Sequence, residues 1–134
     1  MPKVMIIDDA PGIRNSFSRV LRREGFEAIT VGDGLQALGA AGNQPPDLIV
    51  LDMNMPHMDG AEVLRRLRAN ILWKAIPVLV FSGAPSAAKR AAELGVDAIL
   101  EKGNVTVQQV IDKIRAMTAG GSGGRFGPAP VAFA

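Results

Sequence analysis

The chain is expected to fold as an α/β protein with a doubly wound parallel sheet, on three observations. Five short apolar runs are spaced along it, roughly 3–8, 27–31, 47–52, 77–81 and 97–101. Each is followed by a stretch with helical apolar spacing, and strict alternation of strand and helix argues for a parallel sheet covered on both faces. The runs Val4-Met5-Ile6-Ile7, Leu48-Ile49-Val50-Leu51 and Pro77-Val78-Leu79-Val80-Phe81 are continuous rather than alternating, as strands buried on both faces are.

The first strand ends in Asp8-Asp9, and Pro11 suits the first position of a helix over roughly 11–24. Ile13, Phe17, Val20 and Leu21 mark its buried stripe, and Gly25 suits the residue just past its end. After the second strand, a short Ala/Gly-rich helix over roughly 34–42 is stopped by Gln44-Pro45-Pro46. The third strand closes on Asp52, followed at once by the loop Met53-Asn54-Met55-Pro56. Asp59-Gly60-Ala61-Glu62 then resembles a capping box opening a helix over roughly 59–70, with Val63, Leu64 and Leu67 as its apolar face. The fourth strand ends in Ser82 and leads to a brief helix over roughly 86–94. The fifth runs through Glu101 into Lys102, and a last helix over roughly 104–118 is expected to start at an Asn104 cap and to bury Val107, Val110, Ile111 and Ile114.

From Ala119 the pattern stops. Gly120-Gly121-Ser122-Gly123-Gly124 is a flexible linker sequence, and Arg125 to Ala134 is too short for a second domain. One domain over 1–118 and a flexible Gly/Pro-rich tail or linker over 119–134 are expected, as 134 residues are too few for two ordinary domains.

Composition narrows the function. At 48% hydrophobic but only 4% aromatic, the chain must build its core from aliphatic side chains. The net charge of +2 is small, and the densest basic pairs, Arg22-Arg23 and Arg65-Arg66, fall inside helical patterns, so no direct nucleic-acid partner is expected. With no cysteine, thiolate catalysis, disulfides and Cys-based zinc sites are excluded. No apolar stretch approaches the ~20 residues that span a bilayer, so a cytoplasmic location without membrane contact is expected.

The strand ends carry the chemistry. In open α/β sheets sites are built outside the carboxyl ends of the strands. If the first and third strands are neighbours, Asp8, Asp9 and Asp52 converge there, and two carboxylates ~4 Å apart repel by about 4 kcal/mol at an effective dielectric near 20. Such a cluster calls for a cation, and a hard ion held by a few carboxylates and kept partly hydrated describes Mg²⁺ better than Ca²⁺. A carboxylate can then act as nucleophile toward phosphorus, with the metal and Lys102 neutralising the transferred oxygens and the Ser82 hydroxyl hydrogen-bonding one of them.

Asp8-Asp9 after the first strand, Asp52 in Leu51-Asp52-Met53-Asn54-Met55-Pro56 with Asp59-Gly60 following, Ser82-Gly83 and Lys102 together resemble the receiver domain of two-component response regulators, and are close to its single-domain chemotaxis type. The resemblance covers about 3–118 and implies a flavodoxin-like fold with strand order 2-1-3-4-5. It implies that Asp52 is the phosphoacceptor, that Asp9, Asp52 and the main-chain carbonyl of Asn54 ligate Mg²⁺, and that Asp8 supports the metal's water shell. Lys102 matches the phosphate-pairing lysine and Ser82 the switch hydroxyl. A histidine kinase or phosphotransfer protein would supply the phosphoryl group, helix one with Ile13 and Phe17 would meet it, and a downstream protein would read the result.

Three positions depart from the family pattern. Lys102-Gly103 stands where a Lys-Pro with a cis peptide is usual, so that either a strained bond is tolerated or the loop is rerouted. Ile99 stands where a Tyr or Phe normally switches, and helix four is short. An isoleucine has no ring to swing inward behind a moved hydroxyl.

Plainer roles compete for the same residues: helix capping for Asp8 and Asp9, a turn for Ser82, a solvated surface for Lys102, gap filling for Met53, Met55 and Met58, a packing anchor for Trp73, and a loop for His57. As whole functions, a receiver cut from a longer hybrid kinase or regulator competes with a stand-alone one. A Mg²⁺-dependent phosphohydrolase is disfavoured by Asn54, where such enzymes carry a second acid two residues after the nucleophile. The chain is expected to be no enzyme beyond accepting the phosphoryl group and slowly losing it.

Overall fold

The computed structural model describes residues 1–40, 45–53, 55, 60–83 and 85–119. Five strands, β1 (Lys3–Ile7), β2 (Glu27–Val31), β3 (Leu48–Leu51), β4 (Val78–Ser82) and β5 (Ala98–Glu101), alternate with α1 (Pro11–Arg23), α2 (Gly34–Ala40), α3 (Gly60–Ala69), α4 (Pro85–Glu93) and α5 (Val107–Thr118). They form one parallel sheet in the order β2-β1-β3-β4-β5, as the resemblance implied.

Because successive strand residues point to opposite faces, each continuous apolar run feeds two cores at once. Val4, Ile6, Leu48, Val50, Leu79, Ala98 and Leu100 pack with Phe17 and Leu21 of α1 and with Val110, Ile111 and Ile114 of α5. Met5, Ile7, Ile49, Leu51, Val78, Val80 and Ile99 pack on the other face with Val63, Leu64 and Leu67 of α3 and with Ala87 and Ala91 of α4. Trp73 is the packing anchor expected of it, buried in this second core, and Met53 and Met55 fill the same core. Met58 and His57 lie outside the described residues.

Helix ends follow local chemistry. Gly25, with φ +90°, closes α1 in the left-handed conformation that a side chain disfavours. The last helix starts later than expected. Its cap is Thr106, whose hydroxyl accepts from the Gln109 N–H while the Gln109 side chain accepts from the Thr106 N–H. Asn104 instead donates to Glu101 Oε2 at 3.0 Å from a turn, and Val107, expected in the buried stripe, is 39% exposed at the helix's first position. The acidic residue expected to cap α3, Asp59, lies outside the described residues.

Candidate functional site

Among the described residues, the buried polar or charged side chains are Asp8, Asp52 and Ser82, and all three lie at the carboxyl edge of the sheet. Buried polar groups are expensive, so three gathered at one edge mark a site and not a packing accident. Strand register brings them together. Ile7 of β1 pairs with Leu51 of β3, so Asp8 and Asp52 leave the sheet side by side, and the Asp52 N–H donates to the Ile7 carbonyl at 2.9 Å. Leu51 in turn pairs with Val80, and Ser82 with Glu101, which puts the hydroxyl and Lys102 beside the acids.

Asp8, Asp9 and Asp52 each offer a carboxylate oxygen, and the three oxygens lie within 4.8 Å of one another. Asp8 and Asp52 are buried and Asp9 is exposed. With oxygens no more than 4.8 Å apart, the buried pair repels by about 3.5 kcal/mol or more at an effective dielectric near 20. Capping does not explain them: the N-cap of α1 is Ala10, with no side-chain cap bond, and Asp8 Oδ1 accepts from the Ala10 N–H at 2.9 Å. The donor set fits a hard divalent cation. Asp8, Asp9 and Asp52 would offer such an ion carboxylate oxygens, and it would supply the positive charge this cluster calls for.

Lys102 brings positive charge to the cluster. Its Nζ is 3.1 Å from Asp8 Oδ2 and 3.5 Å from Asp52 Oδ2, and its side chain is 25% exposed, so it is not a solvated surface lysine. The backbone aims it: the Lys102 N–H donates to the Ser82 carbonyl at 2.9 Å, and Gly103 turns the chain at φ +89°. Among the described residues no peptide bond is cis, so the loop is rerouted through the glycine and the lysine still reaches the acids. Ser82 is the last residue of β4, not a turn residue. Ile99 is fully buried in the core shared with α3 and α4. Asn54 lies outside the described residues.

Three contributors escaped the sequence reading. A Cβ on Gly60 would lie 2.4 Å from Met53 Cα and 2.9 Å from the Asp52 carbonyl oxygen, so only glycine lets α3 start against the loop that carries Asp52. The signal was an Asp-Gly pair that capping seemed to explain. Arg14 Nη1 donates to the Asp8 carbonyl at 2.8 Å and fills the space a Cβ on Gly32 would take, tying the acidic loop to the end of β2. Phe81 lies under the Lys102 ammonium, 5.5 Å from the ring centroid. Neither pairing has a local sequence signature.

Beside the lysine, an open apolar groove of about 490 Å³ runs along α1 and is lined in part by Ile13, Phe17, Phe81, Lys102, Val105 and Val107. Ile13 is half-buried at its wall. Phe17, expected as a contact for a phosphoryl donor, is 2% exposed and belongs to the core beneath.

Fold and site together define a doubly wound α/β module with an acidic, cation-ready pocket and one lysine at its carboxyl edge. Residues 4–115 match the response regulator receiver domain family, and the chain belongs to it. It is 39% identical over 118 residues to the transcriptional regulatory protein PrrA of Mycobacterium tuberculosis, covering 87% of this chain and 49% of that one. It is 33% identical over 117 residues to the response regulator MprA of a Mycobacterium species, covering 86% and 50% respectively. The chain thus spans about half the length of the curated relatives it matches. Among solved structures it is similar to the chemotaxis response regulator CheY4 of Vibrio cholerae, with TM-score 0.78, 29% identity, and 87% and 98% of the two chains covered. As a receiver domain of the two-component type it is a signalling module, and acceptance of a phosphoryl group on aspartate from a histidine kinase is general to that family. Among the described residues no helix is long and apolar enough to cross a membrane.

Proposed function

We propose that Asp52 accepts the phosphoryl group from a histidine kinase or phosphotransfer protein, and that the modified domain changes its affinity for a downstream protein. The observation that carries this is the burial of Asp52 beside Asp8, with Lys102 Nζ bridging both carboxylates at 3.1 and 3.5 Å. An Asp52 carboxylate oxygen forms the new O–P bond as the bond from phosphorus to the donor's imidazole nitrogen breaks, and the electron pair leaves with that nitrogen. Lys102 is placed to neutralise one phosphoryl oxygen, and Ser82 to donate a hydrogen bond to another. Asp9 and Asp52 would hold Mg²⁺ with the Asn54 carbonyl, and Asp8 would orient its water. When bound, the ion supplies the charge neutralisation that lets a phosphate approach three acids.

The acyl phosphate carries roughly −2 in place of the carboxylate's −1, so phosphorylation adds about one negative charge, with new acceptor oxygens, beside Lys102 and Ser82. The groove along α1, with half-buried Ile13 at its wall, is the surface we assign to the phosphodonor. The domain is assigned to 1–118 and a tail or linker to 119–134, with a cytoplasmic site of action, no direct contact with nucleic acid and slow autodephosphorylation as its only turnover. A second reading, in which this receiver works as part of a longer regulator, is favoured by relatives about twice its length.

Intact mass after incubation with acetyl phosphate, with and without Mg²⁺, tests the assignment. The expected result is a Mg²⁺-dependent gain of one phosphoryl group that Asp52→Asn abolishes; equal labelling of that variant would refute it. Mass is the right observable, because it counts phosphoryl groups directly, whereas the single tryptophan, Trp73, is buried in the core shared with α3 and α4.

A further inference from the structure

Phe81 belongs to none of the acid, hydroxyl or lysine positions, yet it is the side chain over which Lys102 rests. As the neighbour of Ser82 on β4 it points to the opposite sheet face, toward α1 and α5. There its ring meets that of Phe17 at 90° with centroids 5.4 Å apart. Phe17 is locked in the core, so the Phe81 ring has a fixed partner. The Lys102 ammonium lies over the Phe81 ring at 5.5 Å, inside the range in which a cation is attracted by the ring quadrupole.

Lys102 needs such a support. A lysine is a point charge on a flexible four-carbon stem, so a backbone held by the Ser82 carbonyl does not by itself fix where the ammonium rests. Beside the stem is Gly83, where even an added Cβ would come no closer than 3.9 Å to the lysine carbons. The carboxylates of Asp8 and Asp52 hold the ammonium at 3.1 and 3.5 Å, and the Phe81 ring adds a contact at 5.5 Å to its centroid. We propose that Phe81 is a positioning residue that holds the Lys102 ammonium at the junction of Asp8 and Asp52, ready for the incoming phosphoryl oxygens. Preorganised charge of this kind is in place when the transition state forms and does not have to be gathered. The inference rests on the reading of Lys102 as the phosphoryl-neutralising lysine.

The experiment is the rate of Asp52 labelling by acetyl phosphate at saturating Mg²⁺, read by intact mass. It compares wild type, Phe81→Leu, Phe81→Tyr, Lys102→Ala and the double variant Phe81→Leu/Lys102→Ala, with calorimetric Mg²⁺ affinity for the two Phe81 variants. Loss of the ring in Phe81→Leu is expected to slow labelling about three- to tenfold, with Mg²⁺ affinity unchanged. Phe81→Tyr, which keeps the ring, labels at the wild-type rate. On the Lys102→Ala background the Leu substitution has no further effect. An equal slowing on both backgrounds, or a Phe81→Tyr variant as slow as Phe81→Leu, would show that the residue acts by packing and overturn the proposal. A Phe81→Leu protein that labels at the wild-type rate overturns it as well. If Lys102→Ala itself labels normally, the reading of the lysine fails, and the positioning role with it. Where Lys102→Ala labels too slowly to compare, the Tyr variant decides alone.

Discussion

The two edges of the same sheet treat their acids in opposite ways. At the amino edge, Asp47 and Asp97 stand just before β3 and β5 and do one job. Asp47 Oδ2 accepts from the N–H of Lys3, the first residue of β1, at 2.7 Å, and Asp97 Oδ2 accepts from the N–H of Val78, the first of β4, at 2.8 Å. Each returns the bond from its own N–H, to the Lys3 and Val78 carbonyls at 2.8 and 3.0 Å. Asp97 also faces Arg68 at 3.5 Å, and Arg68 Nη1 donates to the Lys74 and Ile76 carbonyls. These carboxylates satisfy backbone donors and hold strand starts in register. At the carboxyl edge, Asp8, Asp9 and Asp52 crowd within 4.8 Å, and Lys102 bridges two of them. One edge uses acids to close the fold, and the other stores repulsion that a divalent cation would relieve.

That contrast is open to attack from both sides. The largest effect expected is the complete loss of phosphoryl uptake in Asp52→Asn, with an unchanged circular dichroism spectrum. Next, Mg²⁺ should raise the unfolding midpoint of the wild type, because it binds only where the folded chain gathers the acids. Linkage gives about 2.7 kcal/mol at a hundredfold excess over the dissociation constant. Asp9→Asn should shrink that shift, and a midpoint indifferent to Mg²⁺ would remove the cation from the account. At the other edge, Asp97→Ala removes the acceptor of the buried Val78 N–H and should cost about 1–3 kcal/mol in urea unfolding. It should label normally at temperatures where it is folded, and slowed labelling of the folded protein would mean the edges are coupled. Smallest, Thr106→Ala removes the cap of α5 and should cost about 1 kcal/mol, with no change in labelling.

Much of the fold could be read locally, since strand position depends on runs that any window contains. β2 matches its expected span, and the other four strands lie within a residue at each end of theirs. The start of α5 was misjudged because two good caps stand two residues apart. Thr106 prevails over Asn104 because Gln109 can complete a reciprocal pair with it, while Gly103 turns the chain and leaves Asn104 beside Glu101. Val107 keeps the spacing of the buried stripe, but as the first residue of the helix it lies at the open groove beside Lys102 and stays 39% exposed.

Sequence alone determined the alternation, the burial of both sheet faces and the order of acids, hydroxyl and lysine at strand ends, because these depend on periodicities of two and 3.6 residues and on the residue that ends each run. Only the tertiary structure decided which of those ends touch. Lys102 and Asp8 are 94 residues apart, and they meet because parallel pairing through β3 and β4 aligns the carboxyl ends of strands of similar length. Phe81 under Lys102, Arg14 on the Asp8 carbonyl and Gly60 against Met53 follow from the same registration. Contacts between distant segments are set by how layers pack, and no local pattern in the chain records them.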